Sequence, residues 1–252
     1  MKGENAPGKT KADENGVISR NQEPPCFPAG TLVHTDKGLV PIQDIQVGDR
    51  VLSKCEFTGE QAYKRVFRTF LHMDKSIFAV WGSSYNKVLN LRDRGIFPIF
   101  TTGNHPFWVG RLKDGIKEFR RGKVNIGWRA AVELDIGDLV STQNSDFFSV
   151  FGSVPLFKWG ESGIAWGGMF LPTESGFLFD LRNNKIRYDL LGEDSDVKNE
   201  MIEFVSDLGV ERDPYPTNEE AFCCTVYNLE VEDFHTYFVG EIGVWVHNKG
   251  GE

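Results

Sequence analysis

No uninterrupted apolar run of the roughly 18 residues needed to cross a bilayer as a helix occurs in this 252-residue chain. The opening stretch, Met1 to Pro25, is polar and charged and lacks the apolar core of a secretory signal. Export would therefore need a signal elsewhere on a longer parent chain or another route, and the compartment is undetermined. Cysteine is scarce: Cys26, Cys55, Cys223 and Cys224 form no C-x-x-C pair. That spacing excludes a disulfide-stapled fold and a thiolate zinc site, while leaving room for one disulfide. Basic residues are also in deficit, 28 against 36 acidic, for a net charge of −8. Such a surface repels phosphate backbones and anionic lipid, so neither nucleic acid nor membrane is expected as a partner. Within residues 143–218 no paired carboxylates at nuclease-like spacing stand out, and the twin helices of homing endonucleases are absent there.

What is present is ordinary globular material, 40% hydrophobic and 25% charged, enough for a sizeable core. Residues 1–25 hold almost no large apolar side chains and are expected to be a disordered leader. From Cys26 onward the texture changes to short β-type runs cut by turn residues. These are Thr31 to His34, Leu39 to Ile42, Arg50 to Cys55, Val66 to Leu71, Ile77 to Trp81, Val88 to Leu91 and Phe97 to Thr101. The pattern predicts an all-β fold of many short strands.

Ile45-Gln46-Val47-Gly48-Asp49 followed by Arg50-Val51-Leu52-Ser53 returns as Leu134-Asp135-Ile136-Gly137-Asp138 followed by Leu139-Val140-Ser141. Two unrelated β-turns can match over so short a span; a duplicated β-subdomain is the sharper interpretation. Residues 143–218 differ in texture and read as a small mixed α+β insertion. They comprise an aromatic, Gly-rich stretch from Phe147 to Phe170, a hairpin from Phe177 to Leu190 turning at Asn183-Asn184, and a helix from Val197 to Leu208. The expected organisation is thus a leader (1–25), a main domain in two parts (26–142 and 219–248) around the insertion (143–218), and a tail (249–252).

Four segments carry reactive side chains. Ile242, Val244, Val246 and Asn248 alternate with Gly243, Trp245 and His247 along an expected strand. An asparagine whose carboxamide nitrogen lies near its own carbonyl carbon can cyclise and break the bond to the next residue, here Lys249, helped by imidazoles such as His247 and His235. A His-Asn pair alone is more commonly just the end of a strand. Cys26, in Cys26-Phe27-Pro28-Ala29-Gly30-Thr31, places a thiol ahead of a Pro-Gly turn, where it can attack the Pro25 carbonyl given a proton donor and an oxyanion partner. Thr102-Gly103-Asn104-His105 offers a hydroxyl and an imidazole, and Val226-Tyr227-Asn228-Leu229-Glu230-Val231 leads to His235.

Taken in order, these four segments resemble the Hint superfamily: inteins, bacterial intein-like domains and hedgehog autoprocessing domains. The stretch Val231-Glu232-Asp233-Phe234-His235-Thr236-Tyr237-Phe238-Val239 is most similar to the pretoxin Hint domains of bacterial polymorphic toxins. The resemblance covers roughly residues 26–142 and 222–248. It implies a flattened, horseshoe-like all-β fold with a pseudo-twofold axis. It also implies autocatalytic cleavage with Cys26 as N-terminal nucleophile, Thr102 and His105 activating the amide it attacks, and His235 and His247 promoting cyclisation of Asn248. No metal or organic cofactor is expected, the partners are the chain's own flanking segments, and a monomer suffices.

Three departures from the family pattern shape the expectation. Lys249 stands where splicing inteins carry a nucleophile, so cleavage replaces ligation. Asn228 stands where many inteins have Asp, and an amide is expected neither to act as a base nor to tune the Cys26 thiol electrostatically. Pro25 crowds the carbonyl that Cys26 would attack. Cleavage after Asn248 is therefore the expected main event, releasing a toxin-like segment from a longer precursor, with N-terminal cleavage slow or dependent on an external nucleophile. The alternatives are an inert Hint scaffold and a trans-acting cysteine hydrolase using Cys26, His105 or His235, and Asn248.

Overall fold

β-branched and aromatic side chains alternating with polar ones, in runs too short for stable helices, extend and pair. The computed structural model describes residues 24–85, 97–110, 126–159, 163–168, 176–182, 187–191 and 220–248. Among them run β1 (Phe27–Pro28), β2 (Leu32–Thr35), β3 (Gly38–Pro41), β4 (Arg50–Lys54), β5 (Gln61–Ser76), β6 (Phe78–Ser84), β7 (Phe97–Thr101), β8 (Pro106–Val109) and β9 (Gly127–Ala130). Then follow β10 (Leu139–Ser141), β11 (Phe147–Pro155), β12 (Phe157–Lys158), β13 (Ile164–Gly168), β14 (Gly176–Asp180), β15 (Arg187–Leu191), β16 (Cys223–Val231), β17 (Thr236–Val239) and β18 (Val244–His247). The all-β architecture expected from the sequence is the one observed, and no described helix is long and apolar enough to cross a membrane.

Fourteen strands form one sheet in the order β1-β16-β5-β4-β2-β17-β18-β8-β10-β11-β6-β7, with β3 on β2 and β9 on β8. This order is a palindrome. Reading inward from either end, β1 matches β7, β16 matches β6, β5 matches β11, β4 matches β10 and β2 matches β8, with β17 and β18 at the centre. The Gly-Asp repeat lies at equivalent places in the two halves and makes the same bonds. Gln46 N–H donates to Asp49 Oδ2 at 2.9 Å, and Asp135 N–H to Asp138 Oδ2 at 2.9 Å. Gly48 N–H donates to the Val66 carbonyl at 2.9 Å, and Gly137 N–H to that of Val150 at 2.8 Å. Both glycines are left-handed (φ 100° and 87°), which explains their recurrence before the aspartate. The duplication inferred from two short matches thus extends over the whole large sheet.

The edges of the palindrome meet, because Thr102 N–H and Thr101 Oγ1 both donate to the Cys26 carbonyl at 3.0 Å. Within the segment read as an insertion, β11 belongs to the large sheet and pairs with β6 from Phe148↔Ser84 to Pro155↔Phe78. The rest of its described part is a four-stranded sheet, β12-β13-β14-β15. The β14/β15 pair, from Gly176↔Leu191 to Asp180↔Arg187, is the expected hairpin. The Asn183-Asn184 turn, the 197–208 helix, the 88–91 strand, the leader before residue 24 and the 249–252 tail lie outside the described residues.

Two apolar clusters fill the interior. One gathers Phe27, Phe107, Val140, Leu229, Tyr237 and Val246, the other Cys26, Phe100, Trp81, Val226 and Phe179. Cys26 and Phe27, adjacent in sequence, therefore face different clusters, as alternation along an extended chain requires.

Candidate active site

Cys26 is fully buried just before β1. Its N–H, the nitrogen of the Pro25–Cys26 peptide bond, donates to Thr102 Oγ1 at 2.9 Å. The single Thr102 hydroxyl proton can go to Asn104 Oδ1 at 3.0 Å or to the Pro24 carbonyl at 3.2 Å. Thr102 follows β7, and the tight turn after it needs Gly103, where a Cβ would sit 2.6 Å from Val132 Cγ1 and 2.8 Å from the Phe78 ring. That turn closes with His105 N–H donating to the Thr102 carbonyl at 3.1 Å. It delivers the His105 imidazole onto Phe27, ring centroids 4.1 Å apart.

His105 is fully buried, and neither ring nitrogen has a well-formed hydrogen bond. Burial pushes its pKa down to about 3; the Pro106 backbone offsets part of this, and the neighbouring His247 adds to it. At neutral pH the ring is uncharged, with one N–H to give and one lone pair to receive.

The other chain end arrives through β18, whose Val246 pairs with Phe107 of β8, two residues beyond His105. Asn248 is buried at the end of this strand, its N–H donating to the His235 carbonyl at 2.9 Å. Its carboxamide Nδ2 is buried without a hydrogen-bond partner among the described residues, an energetically costly arrangement. His247 is half-buried, its ring edge-on to Trp128 at 4.9 Å and 87°.

Of the six residues singled out from sequence, Cys26, Thr102 and His105 stand together, and His247-Asn248 come alongside through the β8/β18 pairing. His235 meets Asn248 by its backbone carbonyl; its imidazole is exposed, and its φ of 52° is left-handed. Three groups escaped the sequence reading. Thr101 holds the Cys26 carbonyl and adjoins the T-x-x-H segment, a signal that could have been used. Tyr237 bonds Asn228 but looks like one more core residue in an alternating strand. Glu56 and Trp128 support His247 from distant segments and leave no local trace.

No protein-family model matches the chain, and no curated protein matches it. Solved structures do. A bacterial intein-like domain from Clostridium thermocellum matches at 22% identity and a TM-score of 0.48, over 88% of this chain and 98% of that one. The DnaB intein of Synechocystis sp. PCC 6803 matches at 12% identity and 0.46, over 88% and 97%. The gp41-1 intein matches at 15% identity and 0.43, over 90% and 100%. The chain is similar to intein and intein-like domains. At these identities and scores the likeness gives no residue its role, which has to come from the geometry.

Beside His247, Trp108, Trp128 and Trp245 pack within 4.9 to 5.1 Å of one another, and Trp128 Nε1 donates to Glu56 Oε2. That carboxylate pins the ring against which His247 rests. Glu56→Ala is expected to free the Trp128 ring and to destabilise the fold by roughly 1 kcal/mol, the worth of the lost hydrogen bond. A lowered denaturation midpoint in the variant, measured beside wild type, checks this.

Proposed function

We propose that the chain is a single-turnover autoprocessing domain of the Hint type. It cuts its own backbone after Asn248 and, more slowly, at the Pro25–Cys26 bond. In the C-terminal step Asn248 Nδ2 attacks its own carbonyl carbon, the bond to Lys249 N breaks, and the proton lost by Nδ2 passes to the departing Lys249 amine. A succinimide ends the upstream piece. In this reading His247 relays that proton, while His235, whose carbonyl accepts from the Asn248 N–H, aligns the Asn248 backbone.

In the N-terminal step Cys26 Sγ attacks the Pro25 carbonyl carbon, a C–S bond replaces the C–N bond, and the Cys26 nitrogen leaves as an amine. Thr102 Oγ1 already accepts from that nitrogen, and neutral His105 shuttles the thiol proton. Water or an added thiol then releases the upstream piece. The Pro25 ring and the apolar setting of Cys26 slow this step, and Lys249 offers no hydroxyl or thiol for ligation. The flanking segments are the substrates, a toxin-like downstream segment is the released cargo, and rearranging acyl groups calls for neither metal nor cofactor.

The observation that carries this reading is the convergence of the Cys26 and Asn248 segments: His105 touches Phe27, and Phe107, two residues on, pairs with Val246 of β18. Full burial of Cys26 argues against a hydrolase open to outside substrates. The test is a fusion with one folded reporter before Met1 and another after Glu252, its products weighed by intact mass. Mass breaks after Asn248 and before Cys26 are expected; a fusion that stays whole with and without added thiol overturns the proposal.

A further inference from the structure

Asn228 is the residue at which the N-terminal half of the site departs most from a carboxylate-bearing one, and its surroundings give the amide a different job. The β1/β16 register pairs Phe27 with Tyr227 and Pro28 with Val226, so Asn228 falls directly across from Cys26. Val226 and Cys26 share the same apolar cluster, and Asn228, two residues beyond Val226, lies on that face. Asn228 Oδ1 accepts from the Leu229 N–H at 2.8 Å and from the Tyr237 hydroxyl at 2.7 Å. A backbone N–H cannot accept, so this atom is the oxygen, and both its lone pairs are engaged. The end of the carboxamide left to face elsewhere carries two N–H donors.

Three titratable groups packed around Cys26 are neutral near pH 7, and β5 adds His72 across from Val226 and Lys75 across from Cys224, both half-buried. From the turn before β8, His105 sits at about 3. On β16, burial and Cys223 push Cys224 up to about 12. From β17, Tyr237 is fully buried and its hydroxyl is held well above the ordinary phenol range, first by burial and then by an ionised Cys26. β7 supplies only hydroxyls and apolar side chains. Stabilising a Cys26 thiolate in this cluster is therefore left to oriented dipoles, and a fixed amide donor is worth far more in such a setting than in water.

The geometry points to Tyr237 as a positioning residue for the N-terminal step: with the Leu229 amide it locks the Asn228 carboxamide by its oxygen, so that the Asn228 N–H donors face Cys26 Sγ and stabilise the thiolate. The assignment rests on the autoprocessing reading for its purpose, but not for its measurement. Asn228 is then a replacement for a carboxylate with the opposite electrostatic sense, since an aspartate here would oppose ionisation of the thiol.

The test is a pH titration of the full chain with Cys26 Cβ labelled with carbon-13, followed by nuclear magnetic resonance. Wild type is compared with Tyr237→Phe and Asn228→Asp. The thiol midpoint is expected to rise by about one unit in Tyr237→Phe and further in Asn228→Asp. Hydroxylamine-induced cleavage at Pro25–Cys26 near neutral pH should fall about tenfold in Tyr237→Phe and recover at high pH, with release after Asn248 unchanged. A Tyr237→Phe midpoint equal to the wild-type value, with release after Asn248 intact, overturns the assignment. If Tyr237→Phe loses that release and so fails as a folded protein, Asn228→Asp decides: a midpoint that does not rise overturns it equally. Shifted midpoints in a wild type that yields no hydroxylamine product would instead remove the N-terminal cleavage and leave the positioning role standing.

Discussion

A reporter fused after Glu252 is expected to remain attached when Asn248 is replaced by alanine, with release falling by at least about a thousandfold. The step is intramolecular, and its nucleophile is the Nδ2 atom that the substitution deletes; advantages of this order come from holding reacting atoms together in one residue, and no neighbour can supply them. The same change should leave the protein as stable as before or slightly more so. Nδ2 is buried with no hydrogen-bond partner among the described residues, an arrangement costing roughly 1–3 kcal/mol that alanine relieves. Loss of cleavage with an unchanged or raised denaturation midpoint thus separates chemistry from unfolding. His247→Ala should be milder, about ten- to a hundredfold, because it removes a proton relay and leaves the nucleophile in place. Continued release at the wild-type rate in Asn248→Ala would sink the C-terminal mechanism.

How much of this could be read beforehand depends on the range of the interaction. Alternation and turn residues are local, so the strand runs between Thr31 and Thr101, apart from 88–91, which lies outside the described residues, and the pairing of the hairpin expected from Phe177 to Leu190 were legible. The Gly-Asp repeat was legible because one turn imposes a left-handed glycine and a side-chain acceptor three residues after the donor, a requirement met twice. The palindrome of the sheet was not legible from composition or spacing, since pairings such as β2 with β17 or β18 with β8 link segments far apart in sequence. Within the site, Cys26, Thr102, His105, His247 and Asn248 stood out because their side chains are reactive. His235 stood out for the same reason, yet a left-handed backbone leaves its ring in solvent and its carbonyl on Asn248. Tyr237 and Trp128 stayed hidden for the converse reason: aromatic side chains in alternating strands look like packing until their polar atoms are seen to bond Asn228 and Glu56.

His105 should make the protein acid-sensitive, and removing it should abolish most of that sensitivity. With a native pKa near 3 against 6.5 for the ordinary group, the unfolded chain binds a proton between these values that the native state refuses. Unfolding then takes up a proton, so stability falls as pH drops through this window and is flat above it. The slope is about 1.4 kcal/mol per pH unit, or roughly 2 kcal/mol between pH 6.5 and 5. His34 and His72, both lowered by burial, add in the same direction, so the comparison must be with His105→Leu. Denaturant unfolding at pH 7.5, 6.5 and 5 should show the variant losing clearly less stability on acidification than wild type. Coincident slopes would mean that the native ring takes up its proton as readily as the unfolded one. The same burial has a kinetic reading. A neutral imidazole with both nitrogens unoccupied can receive the Cys26 proton and return it to the departing nitrogen without first being deprotonated. If the proposed N-terminal step operates, it should therefore show no inflection from His105 near pH 6.5, and the stability lost in acid is the counterpart of an imidazole kept uncharged by burial.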